Sequence, residues 1–160
     1  MGYLRWNHFI KCFILGMYIF FPKKSIWNAK AHIKVAFFTW TTALGKIPTL
    51  DNLHHVTIWC QMCKKNRETG DHLLLHYEYA RELWSPVFCL FRVQWIMLHR
   101  VLDLLACWKR SFAKHGMVDI WNSVRLCLMW TIWREHKKAL EGLERTTTKL
   151  KLILLWVLFD

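Results

Sequence analysis

The chain has 160 residues, of which 54% are hydrophobic, and it carries a formal net charge of +12. This apolar content is enough to offset the entropy cost of ordering one domain with a real core, which argues against intrinsic disorder. The 23 Lys and Arg against 11 Asp and Glu favour a polyanionic partner, nucleic acid or an anionic membrane, unless the basic side chains merely solvate a hydrophobic protein. The 11 tryptophans exceed what a small core buries, which implies exposed apolar surface and a partner.

An uncharged run of ten residues, Cys12–Phe21, lies near the N-terminus. It is shorter than the ~20 residues that a membrane-spanning helix needs, so a membrane partner is not expected. A basic protein that associates with membranes through this run is nevertheless kept as an alternative. Pro22 and two lysines follow the run in place of a signal-peptide cleavage site. Residues 1–21 are assigned to a separate N-terminal segment that matches no recognised pattern.

The cysteine spacing argues against a disulfide framework. Cys89, Cys107 and Cys127 lie within apolar helical patterns, where a free thiol behaves as a small hydrophobic residue. Only Cys60 and Cys63 form a local motif. An intracellular, reducing location, nucleus or cytoplasm, is favoured over secretion.

Helical spacing of apolar residues predicts a first helix that begins after Ser25 as N-cap and ends at Gly45. Pro48 then breaks the chain, and a short helical turn is expected from Thr49. The predicted buried face of the first helix comprises Ile26, Ala29, Ile33, Phe37, Trp40 and Leu44.

A second helix is predicted from Asp71 as N-cap, with a kink near Pro86, and a third over residues 94–114. Their predicted apolar faces comprise His72, Leu75, Tyr79, Leu83 and Phe88, and then Ile96, Val101, Leu104, Leu105 and Trp108.

Gly116 is expected to interrupt the chain and Asp119 to cap a further helix, weakened at Gly142, before a last helix over residues 143–159. The predicted buried stripe of the helix after Asp119 comprises Ile120, Val124, Cys127, Leu128 and Ile132. These elements predict an all-α fold with a small zinc-knuckle loop between helices. A soft boundary near residue 90 separates a domain at 22–90 from a helical region at 91–160.

The stretch from residue 60 to residue 76 has the spacing of a zinc site. Cys60 and Cys63 place two thiolates on one tight turn, while His72 and His76 lie four apart on one face of a helix. The resulting Cys-x2-Cys-x8-His-x3-His pattern suits tetrahedral zinc, which takes about four nitrogen or sulfur ligands.

A dithiol redox site is the other interpretation of the cysteine pair. Trp59 before Cys-x2-Cys also resembles a dithiol redox motif, but such a motif follows a strand and opens a helix, and neither is predicted. The remaining histidines have no partners at metal spacing and are predicted to be surface groups. They include His54, His55, His99, His115 and His136.

The stretches "KSIWNAKAHIKVAFFTWTTALGKIPTLDNL" and "WCQMCKKNRETGDHLLLHYEYARELW" together resemble the zinc-binding domain that follows the reverse transcriptase of plant non-LTR (LINE-type) retrotransposons. "CLMWTIWREHKKALEGLERT" is similar to the tails of such reading frames. The resemblance covers about residues 22–159, whereas residues 1–21 match no part of the pattern. It implies zinc as cofactor, and template RNA or DNA or a reverse transcriptase domain as partner.

The sequence departs from the family pattern at the fourth ligand. The family has His-x4-Cys, which places a Cys at position 77, where this chain has Tyr77. Phenolate is a poor zinc ligand because its pKa is near 10. Three outcomes stay open: His76 takes the fourth position, water fills it and zinc is held weakly, or the site holds no metal.

No polymerase, RNase H, phosphate-loop or hydrolase motif is visible, so the chain is predicted not to be an enzyme. The predicted function is a zinc-binding module that docks on nucleic acid or on a polymerase. Lys64, Lys65 and Arg67, on the loop after Cys63, are the predicted phosphate contacts. The alternative is a decayed, metal-free helical remnant without a selected activity.

Overall fold

The computed structural model describes residues 23–49, 59–60, 62–91, 98–107 and 115–141. These residues form α-helices and one π-helical turn, and the only β pairing among them is an isolated bridge between Trp59 and Arg67. The prediction of an all-α fold is confirmed. The predicted turn from Thr49, the helix over 143–159, and the run Cys12–Phe21 lie mostly or wholly outside the described residues.

The predicted first helix is two helices, α1 (Lys23–Trp27) and α2 (Ile33–Ala43). The Nδ1 atom of His32 accepts a hydrogen bond from the backbone N–H of Lys34 at 3.2 Å and so caps α2. Ser25 lies buried inside α1, so its prediction as the N-cap of one long helix is wrong. The predicted stop at Gly45 is confirmed, because α2 ends at Ala43 and Gly45 adopts a φ of 68°.

The face of α2 that enters the core differs from the predicted one. The core face carries Val35, Ala36, Phe38, Thr39 and Thr42. Its threonine hydroxyls are satisfied within the helix, since Thr39 donates to the carbonyl of Val35 at 3.0 Å and Thr42 to that of Phe38 at 2.8 Å. The predicted inward residues Ile33, Phe37 and Leu44 are instead 63%, 59% and 44% exposed.

The helix predicted from Asp71 begins two residues earlier and breaks at Tyr77. Backbone N–H of His72 donates to the Thr69 hydroxyl at 3.2 Å, which makes Thr69 the N-cap, and Asp71 has no capping hydrogen bond to this helix. A π-helical turn covers His72–His76, and after Tyr77 the helix α3 runs over Glu78–Leu90. The chain therefore bends at Tyr77, and α3 continues through Pro86.

Asp71 caps a different helix, α4 (Val101–Cys107), because its Oδ1 accepts the backbone N–H of Val101 at 2.8 Å. Residues 98–100 are not helical, so the prediction of one helix over 94–114 is wrong. The predicted burial of Val101, Leu104 and Leu105 is confirmed. Ile96 and Trp108 lie outside the described residues.

The long helix α5 covers His115–Leu140. Gly116 and Asp119 lie within it, so the predicted interruption and N-cap are wrong. Val124, Leu128 and Ile132 are buried as predicted, whereas Ile120 is 52% exposed. None of the described helices is both long enough and apolar enough to cross a bilayer.

One core joins these elements. Helix α5 packs against α2, α3 and the π-helical turn, so residues on either side of position 90 share the same apolar cluster. Arg125 lies within it, and its guanidinium donates to the Leu104 carbonyl at 2.9 Å and to the Asn122 side chain. Burial lowers the pKa of Arg125 to about 10. The packing of α5 over the π-helical turn brings the C-terminal part of the chain to the cysteine loop.

Candidate metal centre

A tight turn presents the two cysteines of the motif. The backbone N–H of Lys64 donates to the Cys60 carbonyl at 2.8 Å, and that of Cys60 donates to the Asn66 carbonyl at 2.7 Å. Lys64 adopts a left-handed φ of 54°, which turns the chain immediately after Cys63. Residues 62–66 form turns and bends, so the cysteines do not open a helix as a dithiol redox motif would.

Three of the four predicted ligands converge. The Sγ atoms of Cys60 and Cys63 and a ring nitrogen of His72 all lie within 4.8 Å of one another. The Sγ of Cys63 is 3.2 Å from Nε2 of His72. Two donors on one tetrahedral zinc stand roughly 3.5–3.8 Å apart when Zn–S is about 2.3 Å and Zn–N about 2.0 Å. The donor set and its spacing therefore fit zinc.

The electrostatics of the two thiols differ. Burial raises the pKa of Cys60, which is fully buried. Burial also opposes ionisation of Cys63, but hydrogen bonds from the backbone N–H groups of Lys65 and Asn66 outweigh it and lower the pKa of Cys63. Burial lowers the pKa of His72, which keeps the imidazole neutral and able to ligate. Cys63 is thus the thiol that ionises first.

The fourth predicted ligand, His76, lies outside this group. Its Nε2 is 3.1 Å from the carbonyl oxygen of His99, which only accepts, so this nitrogen carries a proton and donates. Tyr77 is near the cysteines: burial, and then the charges of Cys60 and Cys63, raise its pKa. A phenol with a raised pKa is even less suited to bind zinc as phenolate.

A second group of potential ligands shares Cys60. Its Sγ, a carboxylate oxygen of Glu68 and a ring nitrogen of His136 also lie within 4.8 Å of one another, and all three residues are buried. His136 was predicted to be a surface group, and the structure shows that this is wrong, because it is only 5% exposed. Sequence spacing alone does not indicate this contact, since His136 lies far along the chain on α5. His99, in contrast, is exposed as predicted.

The predicted phosphate contacts surround the cysteine turn. Lys64, Lys65 and Arg67 are exposed, and Trp59, paired with Arg67 through the β bridge, is 62% exposed. Sequence reasoning did not select Trp59 as a binding residue. Its position directly before Cys60 was the available signal, because a large aromatic side chain next to a basic loop can stack on a base.

The comparisons with known proteins agree with this geometry. The sequence model of a family described as zinc-binding in reverse transcriptase matches residues 16–84, so the match starts ahead of the predicted boundary at residue 22. It contains Cys60, Cys63 and His72 but not His136. No curated protein and no solved structure matches the chain. Residues 16–84 are therefore similar to a zinc-binding domain linked to reverse transcriptases.

Proposed function

We propose that the chain is a non-enzymatic zinc-binding module that contacts RNA or DNA beside a reverse transcriptase. The observation that carries this proposal is the convergence of Cys60, Cys63 and His72 at the base of an exposed basic loop. The similarity of residues 16–84 to a zinc-binding domain of reverse transcriptases supports it. A reverse transcriptase domain and a nucleic acid stay predicted partners.

Zinc would act here as a structural ion. Cys60 and Cys63 would hold it from the turn, and His72 would hold it from the π-helical turn. When bound, the metal supplies cross-linking free energy rather than a reactive group, and in small sites that energy contributes directly to folding. The loop that carries Lys64 and Lys65 would thereby be fixed relative to the helices.

The fixed loop presents a surface suited to a single strand of nucleic acid. An exposed indole such as Trp59 offers a stacking face for a base, and such stacking contributes about 1–3 kcal/mol per base. Lys64, Lys65 and Arg67 would then contact phosphates on either side of that base. The net charge of +12 adds a long-range attraction that speeds encounter with a polyanion.

The zinc content of the purified protein is the first test. We expect one zinc per chain by mass spectrometry of the metal, with release of the ion by a strong chelator. His72→Ala is expected to lose the metal, whereas His99→Ala, a change at an exposed histidine, is expected to keep it. If the chain refolds without taking up metal even when zinc is supplied, the result would support the alternative, a decayed metal-free helical remnant.

The second test measures the binding of a labelled single-stranded RNA. Fluorescence anisotropy gives the affinity at several salt concentrations. Trp59→Ala is expected to weaken binding about 5- to 150-fold, the equivalent of one stacked base. Lys65→Gln is expected to lower the slope of log affinity against log salt by about 0.7, the effect of one lost phosphate contact on a single strand.

The matched controls lie on α2. Phe37→Ala removes an aromatic side chain that is 59% exposed, and Lys34→Gln removes an exposed lysine, both away from the loop. Phe37→Ala is expected to leave RNA affinity unchanged. Lys34→Gln is expected to lower it only through the loss of one positive charge from the whole protein. If the loop variants and the α2 variants lost RNA affinity equally, the loop would not be a defined binding surface. The binding would then be non-specific electrostatic attraction.

A further inference from the structure

The structure contains a buried imidazole beside the candidate metal centre that the family pattern does not use. His136 lies on α5, outside residues 16–84, and a ring nitrogen is within 4.8 Å of the Cys60 sulfur. Its side chain is 3% exposed, and neither ring nitrogen has a hydrogen-bond partner among the described residues. Burying a polar group without a partner costs about 1–3 kcal/mol, so such a residue calls for an explanation.

We propose that His136 is the fourth zinc ligand, at the coordination position that Cys60, Cys63 and His72 leave open. The centre would then be Cys60, Cys63, His72 and His136, a Cys2His2 set. This inference rests on the proposed zinc-binding function, and it names a ligand beyond the segment similar to the family.

The contact with Cys60 needs little adjustment, whereas the approach to the other two ligands needs more. A nitrogen and a sulfur on one tetrahedral zinc stand roughly 3.5 Å apart, so the separation of at most 4.8 Å between His136 and Cys60 has to shorten by no more than about 1.3 Å. His136 does not lie within 4.8 Å of both Cys63 and His72, so its ring has to shift toward them when zinc binds. The ring of His136 stacks on that of Trp133, with centroids 6.0 Å apart, which limits its orientations. Because α5 packs on the π-helical turn, His136 and His72 approach Cys60 from two different elements.

Glu68 fits the role of a positioning residue for His136. Its Oε2 lies 3.8 Å from Nε2 of His136, and the Glu68 side chain is 1% exposed. Histidine ligands of zinc commonly donate their second ring N–H to a carboxylate, which fixes the tautomer and orientation of the ring. A modest approach of the two side chains would complete that contact.

His76 is the competing candidate, and the structure favours His136 over it. Nε2 of His76 is engaged with the His99 carbonyl, and His76 does not belong to either group of converging ligands among the described residues. The two candidate ligands would also connect different parts of the chain through the metal. His76 would close the metal within the family-like segment, whereas His136 would join that segment to α5 across a long stretch of chain.

Cobalt substitution and zinc X-ray absorption spectroscopy on the full chain distinguish these possibilities. In the native protein we expect four-coordinate cobalt bands and a zinc shell of two sulfur and two nitrogen atoms. His136→Ala is expected to weaken zinc binding by more than the ~10- to 100-fold that loss of a ligand's hydrogen-bonding partner causes, and to change the cobalt spectrum. His76→Ala and the exposed control His99→Ala are expected to leave both unchanged.

A second variant keeps the proposal testable if His136→Ala fails to fold. His136→Cys should keep zinc and give a shell of three sulfur atoms, with stronger sulfur-to-cobalt charge-transfer absorption. A purely structural His136 would leave the sulfur count at two. The inference would be overturned if both His136 variants bound zinc with an unchanged ligand shell, or if His76→Ala alone lost zinc. Either outcome would leave the proposed function standing. A native chain that binds neither zinc nor cobalt would overturn both.

Discussion

The indole Nε1 of Trp84 donates a hydrogen bond to the backbone carbonyl of Leu74 at 2.8 Å, and both residues are fully buried. This bond connects α3 to the π-helical turn across the bend at Tyr77. The π-helical turn ends at His76, and the last carbonyls of a helix lack intrahelical partners, so Trp84 supplies a donor to one of them. The segment that carries His72 is therefore held to the next helix by a buried side-chain hydrogen bond.

Trp84→Phe removes this donor and part of the indole volume. The Leu74 carbonyl would be left buried without its partner, and a small cavity would form, so we expect a loss of about 2–4 kcal/mol in the free energy of unfolding. Urea denaturation measures it. Trp59→Phe, at a tryptophan that is 62% exposed, should change stability by less than about 0.5 kcal/mol. Similar effects of the two substitutions would argue against the contact.

Asp71→Ala tests the cap that reaches across the fold. Loss of the acceptor for the backbone N–H of Val101 should cost about 1 kcal/mol and loosen the start of α4. The control is Asp119→Ala, because Asp119 is exposed inside α5 and its side chain caps nothing among the described residues. Thermal unfolding of both variants measures the difference. If Asp119→Ala were the more costly change, Asp119 would be the N-cap that its sequence position predicts.

Lys64→Gly tests the left-handed residue in the cysteine turn. A side chain in this conformation costs about 1–2 kcal/mol, which glycine avoids, although glycine also gives the unfolded chain more entropy. We expect a net gain of about 1 kcal/mol in stability and tighter zinc binding, because the turn is better pre-formed.

Lys64→Ala is the matched control for charge. It removes the same positive charge but keeps the strain, so its stability should stay close to that of the native chain. Both variants should weaken RNA binding equally if Lys64 contacts a phosphate. Isothermal titration with zinc and urea denaturation separate the two effects, and equal stability of the two variants would show that the turn is not strained.

Sequence reasoning identified the helical class and the cysteine turn because both depend on local patterns. Cys60 and Cys63 share one turn, and His72 follows within a short loop, so their convergence needs little knowledge of the tertiary fold. The spacing from Cys63 to His72 depends on Gly70 as well. A Cβ atom at Gly70 would stand 2.9 Å from the end of the buried Ile47 side chain, so any larger residue there would force that side chain to shift.

The faces of the helices were harder to predict. In α2 both faces carry large apolar residues, and the choice between Phe37 and Phe38 as the inward residue is made by packing against α5, where Phe38 contacts Trp130 at a centroid distance of 5.3 Å. His136 lies four residues after Ile132, in register with the predicted buried stripe, so the local pattern does indicate its burial. The contact with Cys60 arises from helix packing, which the local pattern does not contain.

The zinc-free protein should lose stability in acid because of two buried histidines. Burial lowers the pKa of His136, partly opposed by the negative charge of Glu68, and burial lowers the pKa of His72. The unfolded chain, with imidazole pKa values near 6.5, therefore binds more protons below that pH than the folded chain does. The free energy of unfolding should be highest above about pH 7 and should fall as the pH drops through 6.5 toward the lower folded-state values.

Urea denaturation in the presence of a chelator, at several pH values from about 8 to about 5, measures this dependence. His136→Gln removes one of the two groups and should flatten the acid-side decrease, whereas His99→Gln, at an exposed position, should not. An equal slope in the native protein and in His136→Gln would mean that His136 titrates normally and is not held neutral by its surroundings.

Removal of zinc should loosen the chain in a pattern that reports the ligands. Hydrogen exchange of the backbone amides, measured with and without a chelator, should increase at residues 60–77, where the metal is held by Cys60, Cys63 and His72. If His136 is the fourth ligand, exchange should also rise at the C-terminal end of α5, around residues 132–140. Exchange at Val124–Leu128, buried in the same helix but away from the centre, should change less and serves as the internal control.

An increase confined to residues 60–77 would place all the ligands within the family-like segment. Equal protection with and without the chelator would show that no metal contributes to the fold.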